Sequence, residues 1–567
     1  MSMVKELIDL LSHMDVVSFD VFDTLVFRSY LTQEDLWRDL GRRELGEGKE
    51  SAFLKARVKA DRLTYQTATA IGGEHTLHGV YEKMPHKFAA LEEFEERLQR
   101  DCLVVNPEML AVWKRAGELG KKRIIVSDMY LSESWFAGML KELGIEGWAG
   151  LYISSEQQAR KSTGRLFELV RKDFPSEKIL HIGDDEHSDV KMAESAGFEA
   201  YHYPNLRDEV FAQCPFLERY MSEWPSFEKR RQVGVLVRGW KLLGGCELNY
   251  WKRFGYFMGG VLGHLYVKWL SETAKARGIR HLMFVARDGY LWQKMFDRLN
   301  TGIKTDYFYA PRLTSVKVCG VIGTDPAAMA ERQSILDSLP DNNPSQELTR
   351  YREYLSRYEI DGTTAIVDGC SSAFSVQRLV EAAVGRPIPA FYLMAYSPVK
   401  TGDVLFERQG ASWQMLSEFI FSSPESPIDD VDVNGPTYRD GLASEEVFRQ
   451  SVFDEVASGA LAGFDVLEQS IFGSGISRQD WFDYFLTFRS EMTCNDEGNL
   501  QKAQNAWQIG QENFMRIVNW GCLGWETRRL GIKLGIWRHR EDADGAGDGD
   551  AYRFYIFGRW PIWTRRY

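Results

Sequence analysis

The segment VVSFDVFDTLVFRS, residues 16–29, places an apolar run directly before two carboxylates. Asp20 ends the run and Asp23 follows three positions later. A short apolar run that ends in polar residues predicts a buried strand of a parallel sheet. In an open parallel sheet, ligands bind beyond the carboxyl ends of the strands. The segment therefore predicts an α/β fold with a functional site at one edge of its sheet.

Three later segments also end an apolar run in polar residues. They are KRIIVSDMY at 122–130, GLYISS at 150–155 and KILHIGDDEHSDV at 178–190. With Lys161, these segments bring Ser127, Asp184 and Asp185 towards the edge that holds Asp20. A nucleophilic acid, a hydroxyl, a cation and metal-binding acids are the groups that phosphoryl transfer to a carboxylate needs. The alternative is that Asp and Ser only cap the following helices; four such features in order favour a site.

The order of FDVFDTL, IIVSD, ARKSTGRLF and HIGDDEHSD resembles the haloacid dehalogenase superfamily over about residues 14–203. The resemblance implies a Rossmann-like parallel sheet, a helical cap at about residues 30–118 and a Mg²⁺ cofactor. It also implies a role for each matching residue. The nucleophile would be Asp20, the phosphate-binding hydroxyl Ser127 and the stabilising cation Lys161, and the metal ligands would be Asp20, the backbone carbonyl of Phe22, Asp184 and Asp185, with Asp189 as an alternative supporting acid.

One position departs from the pattern of the superfamily's phosphatases. They usually carry a second Asp two positions after the nucleophile, as a general acid and base, and this chain has Phe22 there. Asp23 is the nearest replacement. An aromatic residue at this position also occurs in the dehalogenases of the superfamily. Because the phosphate-binding groups are complete, we expect a phosphatase.

A second α/β set follows, with predicted strands at 280–289, 305–312, 363–372 and 388–398. Its strand ends carry cations, an acid and small hydroxyl residues: Arg287, Asp288, Gly289, Arg312, Asp368, Ser371, Ser372 and Ser375. Turns of this kind between a strand and a helix can cradle a phosphate. Asp368 is placed to reach ribose hydroxyls, and Arg287 and Arg312 to bind a diphosphate. Serine capping of the next helix is the alternative interpretation.

VARDGYL and AIVDGCSSAFS resemble the diphosphate loop and the phosphoribosyl diphosphate (PRPP) loop of type I phosphoribosyltransferases, over about residues 280–400. A single Asp stands where that family usually has an acidic pair. Together the two sets resemble the ribofuranosyl-transfer enzymes of bacterial polysaccharide biosynthesis. The combination implies transfer of 5-phosphoribose from PRPP to a glycan, followed by removal of the 5-phosphate. Asp288 is the candidate base for the acceptor hydroxyl.

The alternative is a hydrolase of a small metabolite, either a phosphatase or a dehalogenase. Its C-terminal half would then be a non-catalytic module for specificity or oligomerisation. Release of diphosphate from PRPP separates the two interpretations.

The length of 567 residues predicts two or three domains. We expect a phosphatase domain at 1–205, a linker at 206–250, and a phosphoribosyltransferase-like domain with a helical C-terminal region at 251–540. An acidic linker and a basic aromatic tail occupy 541–567. The apolar segment 254–270 contains His264 and Lys268, so we expect a buried helix there.

The formal net charge of −12 argues against a nucleic-acid partner. Seven scattered cysteines without CxxC spacing and an acid-containing N-terminus predict a cytoplasmic protein. The tail AYRFYIFGRWPIWTRRY, residues 551–567, interleaves arginine with aromatic residues, a composition that favours contact with anionic lipid and hence a lipid-linked acceptor at the membrane surface. The alternative is that the tail forms a strand with LGIWRHR.

Overall fold

In the computed structural model, the chain forms two compact units, Met1–Cys246 and Glu247–Tyr567. The structure describes residues 3–46, 48–223, 227–245, 248–321, 326–337, 343–371, 373–395, 401–407, 411–441, 444–469, 477–493, 495–496, 498–500, 502, 537–539, 551–556 and 560–566. Each unit contains one five-stranded parallel sheet, so the predicted α/β class is confirmed.

The first unit has seven strands. They are β1 (Val16–Phe19), β2 (Val26–Arg28), β3 (Leu103–Val105), β4 (Lys122–Ser127), β5 (Gly150–Ile153), β6 (Ile179–Gly183) and β7 (Glu199–His202). Five of them form a parallel sheet in the order β5-β4-β1-β6-β7. All four residues of β1 are buried, as expected for a central strand covered on both faces. The chain therefore delivers Asp20 from the middle of the sheet.

Thirteen helices accompany this sheet. They are α1 (Met3–Leu11), α2 (Gln33–Leu45), α3 (Glu50–Ala70), α4 (Leu77–Glu82), α5 (Leu91–Asp101), α6 (Pro107–Glu118), α7 (Glu133–Glu142), α8 (Ser154–Gln157), α9 (Arg165–Asp173), α10 (Met192–Ser195), α11 (Leu206–Gln213), α12 (Pro215–Glu223) and α13 (Phe227–Leu242). The short β2 and β3 pair antiparallel and enclose α2 to α5 between them. This insertion lies where the cap was predicted, and α6 then leads back to the sheet at β4.

A buried carboxylate organises the helical insertion. Glu95 on α5 accepts two hydrogen bonds from the guanidinium of Arg57 on α3, both of 2.9 Å. It also accepts from the indole N–H of Trp37, from the Tyr81 hydroxyl and from the Tyr130 hydroxyl. Every partner is a donor, so the charge of Glu95 is compensated inside an apolar environment. One carboxylate on α5 thus connects all four helices of the insertion.

The segment 206–250, predicted as a linker, contains three helices of the first unit. Arg230 on α13 donates to Asp35 on α2 at 2.7 Å. Lys241 on the same helix donates to Glu209 at 2.9 Å and pairs with Glu108 at 3.3 Å. Pro215 and Pro225, together with the polar residues of the segment, are typical of a connection between domains, but its apolar residues lie at helical spacing and are buried.

The part of the second unit that the structure describes has ten strands. They are β8 (His281–Val285), β9 (Lys304–Phe308), β10 (Thr364–Ser371), β11 (Ala390–Ala395), β12 (Gly402–Glu407), β13 (Ile428–Asp432), β14 (Gly435–Tyr438), β15 (Trp537–His539), β16 (Ala551–Ile556) and β17 (Trp560–Arg566). The parallel sheet has the order β12-β11-β10-β8-β9. The four predicted strands form four of its members, and β12 adds an edge that the sequence pattern did not predict.

Ten helices of this unit lie within the described residues. They are α14 (Tyr250–Phe254), α15 (Gly260–Ala276), α16 (Gly289–Arg298), α17 (Arg312–Cys319), α18 (Pro326–Asp337), α19 (Pro344–Leu355), α20 (Ser375–Val384), α21 (Ala411–Ile420), α22 (Ser444–Glu468) and α23 (Arg478–Ser490). A π-helical turn at 255–259 joins α14 to α15. The segment 254–270 is largely buried, as predicted. Within the described part of the chain, no helix is long and apolar enough to cross a membrane.

Glycines allow α22 to pack closely against the apolar segment 254–270. A Cβ at Gly255 would lie 2.1 Å from the carbonyl oxygen of Val456, and one at Gly260 would lie 2.7 Å from the Cα of Gly463. Neither glycine has a left-handed backbone, so the requirement is for space rather than for conformation. Any larger side chain at these positions would push the two helices apart.

The C-terminal tail forms strands. β16 pairs antiparallel with β15 and with β17, in a three-stranded sheet. This arrangement corresponds to the strand alternative for the tail. Residues 541–550, predicted as an acidic linker, lie outside the described residues, as does 503–536 of the predicted helical region. Contact of the tail with a membrane stays a prediction.

We predict that Glu95→Ala destabilises the helical insertion by about 3–5 kcal/mol, because Arg57 would remain as a buried charge without its carboxylate. Hydrogen–deuterium exchange of residues 91–101 in the full chain measures the effect as faster exchange. Glu93→Ala is the matched control, since Glu93 is exposed on the same helix. Equal exchange in the two variants would show that the Glu95 network does not stabilise the insertion.

Candidate active sites

The first candidate site lies where the strand order of the first sheet reverses. From the central strand β1, the chain first builds β4 and β5 on one side and then β6 and β7 on the other. Ligands of open α/β sheets bind in the crevice at such a reversal. Asp20 follows β1 and Asp184 follows β6, its immediate neighbour. The topology therefore places two of the predicted acids side by side.

Lys161 joins the acids of this site. It begins a short 3₁₀ turn before α9, and its backbone N–H donates to the Asp128 carboxylate at 2.9 Å. Its buried ammonium group lies 2.6 Å from Asp20 Oδ1 and 2.5 Å from Asp189 Oδ1. Burial alone would lower the pKa of Lys161, but Asp189 and Asp20 outweigh it and raise that pKa above its ordinary value. The ammonium group is therefore charged.

Asp189 is the acid that the sequence interpretation gave only a supporting role. It is buried, and besides Lys161 it contacts His181 Nε2 at 3.1 Å. Its Oδ2 accepts the backbone N–H of Asp185 at 3.0 Å. Burial favours the neutral acid, but Lys161 and His181 outweigh it and hold the pKa of Asp189 below its usual range. Asp189 is thus the fixed anion that holds Lys161 beside Asp20.

Burial raises the pKa of Asp20 well above its ordinary value, against the attraction of Lys161. Asp189 and Asp184 contribute to the rise because like charges disfavour ionisation. A cation bound to the same oxygens acts in the opposite direction and favours the carboxylate. The site therefore has an excess of negative charge that a divalent cation would neutralise.

Three carboxylates fit such a cation. Oxygen atoms of Asp20, Asp184 and Asp189 all lie within 4.8 Å of one another. Carboxylate oxygens are the ligands that Mg²⁺ prefers. Asp185, predicted as a ligand, is instead exposed, and its side chain accepts the Ser188 N–H at 2.5 Å, where it caps the following turn. The structure thus brings Asp189 rather than Asp185 to the acids.

Two buried hydroxyls lie on the strand ends beside Asp20. Ser127 ends β4, next to β1, and Thr24 lies in the turn after Asp20. The Oγ of Ser127 and the Oγ1 of Thr24 have no hydrogen-bond partner among the described residues. A buried hydroxyl without a partner costs free energy unless a ligand or water satisfies it. FDVFDTL contained Thr24, but its spacing alone gave no reason to assign it a role.

Phe22 and Asp23 occupy the turn between β1 and β2. The guanidinium of Arg28 lies 3.7 Å from the ring centre of Phe22, and the ring of Phe136 meets it edge-on. Asp23 has a left-handed backbone, with φ of 58°, which is unusual for a residue other than glycine. Burial raises the pKa of Asp23, and burial together with Asp23 raises the pKa of Asp184 to about 6. Asp23 therefore lies near the acids, whereas the Phe22 side chain is packed by Arg28.

The second candidate site lies at the corresponding reversal of the second sheet. Here β8 and β10 are neighbours, with β9 on one side and β11 and β12 on the other. Arg287 and Asp288 follow β8, while Asp368 lies within β10 and Ser371 ends it. In this sheet too, the expected ligand crevice lies where the strand order reverses, between β8 and β10. The two predicted loops are thus brought together by topology.

Gly369 allows Asp288 to lie against β10. A Cβ at Gly369 would lie 2.4 Å from Asp288 Oδ2, so no other residue fits there without displacing the carboxylate. The neighbouring Asp368 accepts the Gly369 N–H at 2.8 Å. Burial raises the pKa of Asp368 to about 6, and Glu418 adds to the rise. Three acids therefore share this crevice.

The charge of these acids is only partly compensated. Burial, followed by Glu418 and Asp368, raises the pKa of Asp288 well above its ordinary value, while Arg287 and Arg312 act in the opposite direction. Arg312, at the first turn of α17, is thus close enough to act on Asp288. The sequence interpretation missed Glu418, which belongs to α21 and has no spacing that connects it with either loop.

Arg287 is held in position by residues distant in sequence. Its backbone has φ of 74°, and its N–H donates to the Tyr307 hydroxyl at 2.8 Å. Its guanidinium donates to Glu446 at 2.6 Å, and the buried Arg449 binds the same carboxylate. Tyr307 in turn donates to Glu425 at 2.9 Å. None of these residues could be predicted from the sequence, because each contacts Arg287 or one of its partners and none belongs to a motif.

The serine-rich turn after β10 is only partly described. Ser371 Oγ accepts the Phe374 N–H at 2.9 Å, which fits the capping alternative for this residue. Ser375 begins α20, and its carbonyl accepts from Ser315. Ser372 lies outside the described residues. Gly289, the first residue of α16, packs against Phe284, where a Cβ would lie 2.9 Å from that side chain.

Comparison with known proteins identifies only the first unit. Residues 14–197 match the family model of haloacid dehalogenase-like hydrolases. The chain is similar to the L-2-haloacid dehalogenase of Xanthobacter autotrophicus, with 14% identity over 35% of this chain and 83% of that one and a TM-score of 0.26. It is also similar to a HAD phosphatase of Thermococcus onnurineus, with 19% identity over 33% of this chain and 85% of that one and a TM-score of 0.25.

These structural likenesses are too weak to bear on activity, and no curated protein matches the chain. The family match covers β1 and β4 to β6, the helical insertion and all the acids around Lys161. Residues 14–197 therefore form a haloacid dehalogenase-like hydrolase domain.

Proposed function

We propose that the first unit is a phosphatase with Asp20 as its nucleophile. The observation that supports this most strongly is the position of the Lys161 ammonium between Asp20 and Asp189. The unpartnered hydroxyl of Ser127 lies at the end of the neighbouring strand β4, and that of Thr24 belongs to the turn after Asp20. A phosphate monoester is an anion with several acceptor oxygens, so it satisfies a buried cation and both hydroxyls at once. The site thus has the donors that this substrate needs.

The reaction has two steps. In the first, an oxygen of Asp20 forms a bond to phosphorus, the bond from phosphorus to the ester oxygen breaks, and the leaving oxygen takes a proton from Asp23. In the second, a water oxygen forms a bond to phosphorus and gives a proton to Asp23, the bond from phosphorus to the Asp20 oxygen breaks, and inorganic phosphate leaves as Asp20 returns to a carboxylate. Lys161, Ser127 and Thr24 stabilise the charge on the phosphoryl oxygens.

Asp23 takes the acid role because Phe22 has no proton to give. The raised pKa of Asp23, which follows from its burial, favours the protonated form that the first step requires. The Phe22 ring packs against the guanidinium of Arg28 and has no group that could act as an acid. A dehalogenase remains the second candidate because of Phe22. A haloacid, however, would satisfy fewer of the donors of Lys161, Ser127 and Thr24 than a phosphate monoester does.

Mg²⁺ would be held by Asp20, Asp184 and Asp189, and it supplies charge neutralisation for a dianionic substrate. The backbone carbonyl of Phe22 stays a predicted further ligand. Asn205 donates to Asp184 Oδ2 at 2.8 Å and so orients this ligand.

The second unit, in the same proposal, transfers 5-phosphoribose from PRPP to a glycan acceptor. The supporting observation is that Arg287, directly after β8, and Asp368, within β10, lie on neighbouring strands where the strand order reverses. Arg287 and Arg312 bind the diphosphate, and Asp368 binds the ribose hydroxyls. The acceptor oxygen forms a bond to C1, the bond from C1 to the diphosphate oxygen breaks, and diphosphate leaves with the electron pair.

Asp288 accepts the proton of the acceptor hydroxyl. Its raised pKa, due to burial and to the neighbouring acids, makes it a stronger base than an exposed carboxylate. The first unit then removes the 5-phosphate, which makes the glycosylation irreversible. We place this chemistry in the cytoplasm, with a lipid-linked acceptor that the C-terminal tail approaches at the membrane surface.

We predict that Asp20→Asn lowers phosphate release from p-nitrophenyl phosphate by about a thousandfold or more, because the substitution removes the nucleophile without changing its shape. Phosphate is measured with Mg²⁺ present. Asp15→Asn, at the opposite end of β1, is the matched control and retains activity. Halide release from a 2-haloacid, with no phosphate release by the native protein, would favour the dehalogenase.

We also predict different effects for two neighbouring acids. Asp189→Asn raises the Mg²⁺ concentration for half-maximal phosphatase activity by about tenfold or more, because it removes a ligand and the anion that holds Lys161. Asp185→Asn changes it by less than about threefold, since Asp185 is exposed and only caps a turn. A larger effect at Asp185 would restore the ligand assignment made from sequence.

The two proposed steps are separable. With PRPP and a glycan acceptor, Asp20→Asn accumulates a product that retains the 5-phosphate, detected by mass spectrometry. Asp368→Ala prevents transfer and diphosphate release but still removes phosphate from a supplied phosphoribosyl glycan. If Asp20→Asn blocked transfer as well, the two-step scheme would be wrong; if the native protein released no diphosphate, the non-catalytic C-terminal module would be favoured.

A further inference from the structure

An open groove lies between α16 and α22 of the second unit, with a volume of about 540 Å³. This volume lies in the range of small-molecule clefts. Its polar and aromatic lining includes Tyr290, Lys294, Asp297, Arg298, Phe453 and Asp454. The helix α16 begins at Gly289, directly after Arg287 and Asp288. The groove therefore starts beside the second candidate site, although no residue assigned to that site lines it.

Two aromatic rings form the inner wall of this groove. The ring centres of Tyr290 and Phe453 are 6.0 Å apart, and Phe453 is buried while Tyr290 is half-buried. Aromatic faces of this kind supply apolar area at the base of ligand sites. A sugar ring presents an apolar face of C–H groups with hydroxyls around its edge. The apolar surface of the Tyr290 and Phe453 rings therefore suits contact with the C–H face of a sugar ring.

The rim of the groove carries two cations and two anions, so its formal charge is zero. Arg298 pairs with Asp465 at 2.5 Å, and Asp297 accepts from Thr305 at 2.7 Å. The Lys294 ammonium lies 4.7 Å from the ring centre of Tyr290. A balanced and partly paired rim does not favour a polyanion such as PRPP. It offers both donors and acceptors, which suits a neutral ligand with many hydroxyls.

Tyr290 connects the groove with the loop after β8. Its ring centre lies 6.0 Å from that of Tyr307, whose hydroxyl accepts the Arg287 N–H. A ligand on the Tyr290 and Phe453 wall would therefore lie next to the residues that we assign to diphosphate.

We propose that this groove, here called the acceptor groove, binds a neutral saccharide and holds the glycan acceptor of the transfer reaction. The inference rests on the proposed function of the second unit for the acceptor role. Saccharide binding itself follows from the aromatic wall and the neutral rim.

The test uses the full chain and neutral disaccharides, maltose, lactose and N,N′-diacetylchitobiose, in saturation-transfer difference NMR. At least one gives signals, strongest from its C–H face. Ser458→Arg lowers the affinity by about tenfold or more, since Ser458 is exposed on α22 in the groove lining and an arginine there fills the space. Ser451→Arg leaves binding unchanged. It is the matched control because Ser451 is exposed on α22 outside the groove and, like Ser458, donates to the carbonyl three residues earlier.

Two outcomes overturn the acceptor groove: no signal from any of the three saccharides, or equal affinity in Ser458→Arg and the native protein. Calorimetric titration of the native protein with PRPP and Mg²⁺ tests the proposed transferase function independently of saccharide binding. PRPP binding without saccharide binding would remove the groove and leave the transferase. Saccharide binding without PRPP binding would leave a saccharide site and remove its role as acceptor site.

Discussion

The first unit depends on one buried cation. The Lys161 ammonium is almost inaccessible to water, and a charge in that position is stable only when it is paired and hydrogen-bonded. Asp20 and Asp189 supply the pairing, one from the end of β1 and the other from the turn after β6. The two strands must therefore be neighbours and in register for Lys161 to be satisfied. The same contact that stabilises the strand ends also places Asp20, the nucleophile that we propose, beside a cation.

In the second unit, a residue without a side chain, rather than a buried cation, allows two strand ends with acidic residues to lie close together. No lysine lies between Asp288 and Asp368 in the described part of the site, and the two loops approach because Gly369 has no side chain. Burial is the largest cause of the raised pKa of Asp368 and of Asp288, and the neighbouring Glu418 adds to the rise in both. In the function that we propose, the ammonium group of the first site suits attack by a carboxylate, and the acids and flanking arginines of the second site suit a substrate that brings a metal-bound diphosphate.

Prediction from sequence can locate a residue that follows directly from its strand. Asp20, Ser127 and Asp184 lie at neighbouring strand ends because a parallel sheet brings the carboxyl ends of its strands to one edge, while their roles stay predictions. It failed to separate Asp185 from Asp189, because both lie after β6 and only the turn geometry decides which carboxylate points inward. The same limit applies to the helices of 206–242, where prolines suggested a linker and long-range ion pairs with α2 decide otherwise.

Glu446 and Glu418 show why the rest of the second site had no sequence signal. Glu446 binds Arg287 across 159 positions of the chain, and its position on α22 depends on the close contact of α22 with the glycines of 254–270. The position of the Arg287 side chain thus depends on helix packing that lies outside the strand–loop–helix pattern. The acceptor groove depends on the same helix, since Phe453 and Ser458 follow Glu446 on α22. One helix therefore orients Arg287 and forms one wall of the groove, so a change in its packing would alter both together.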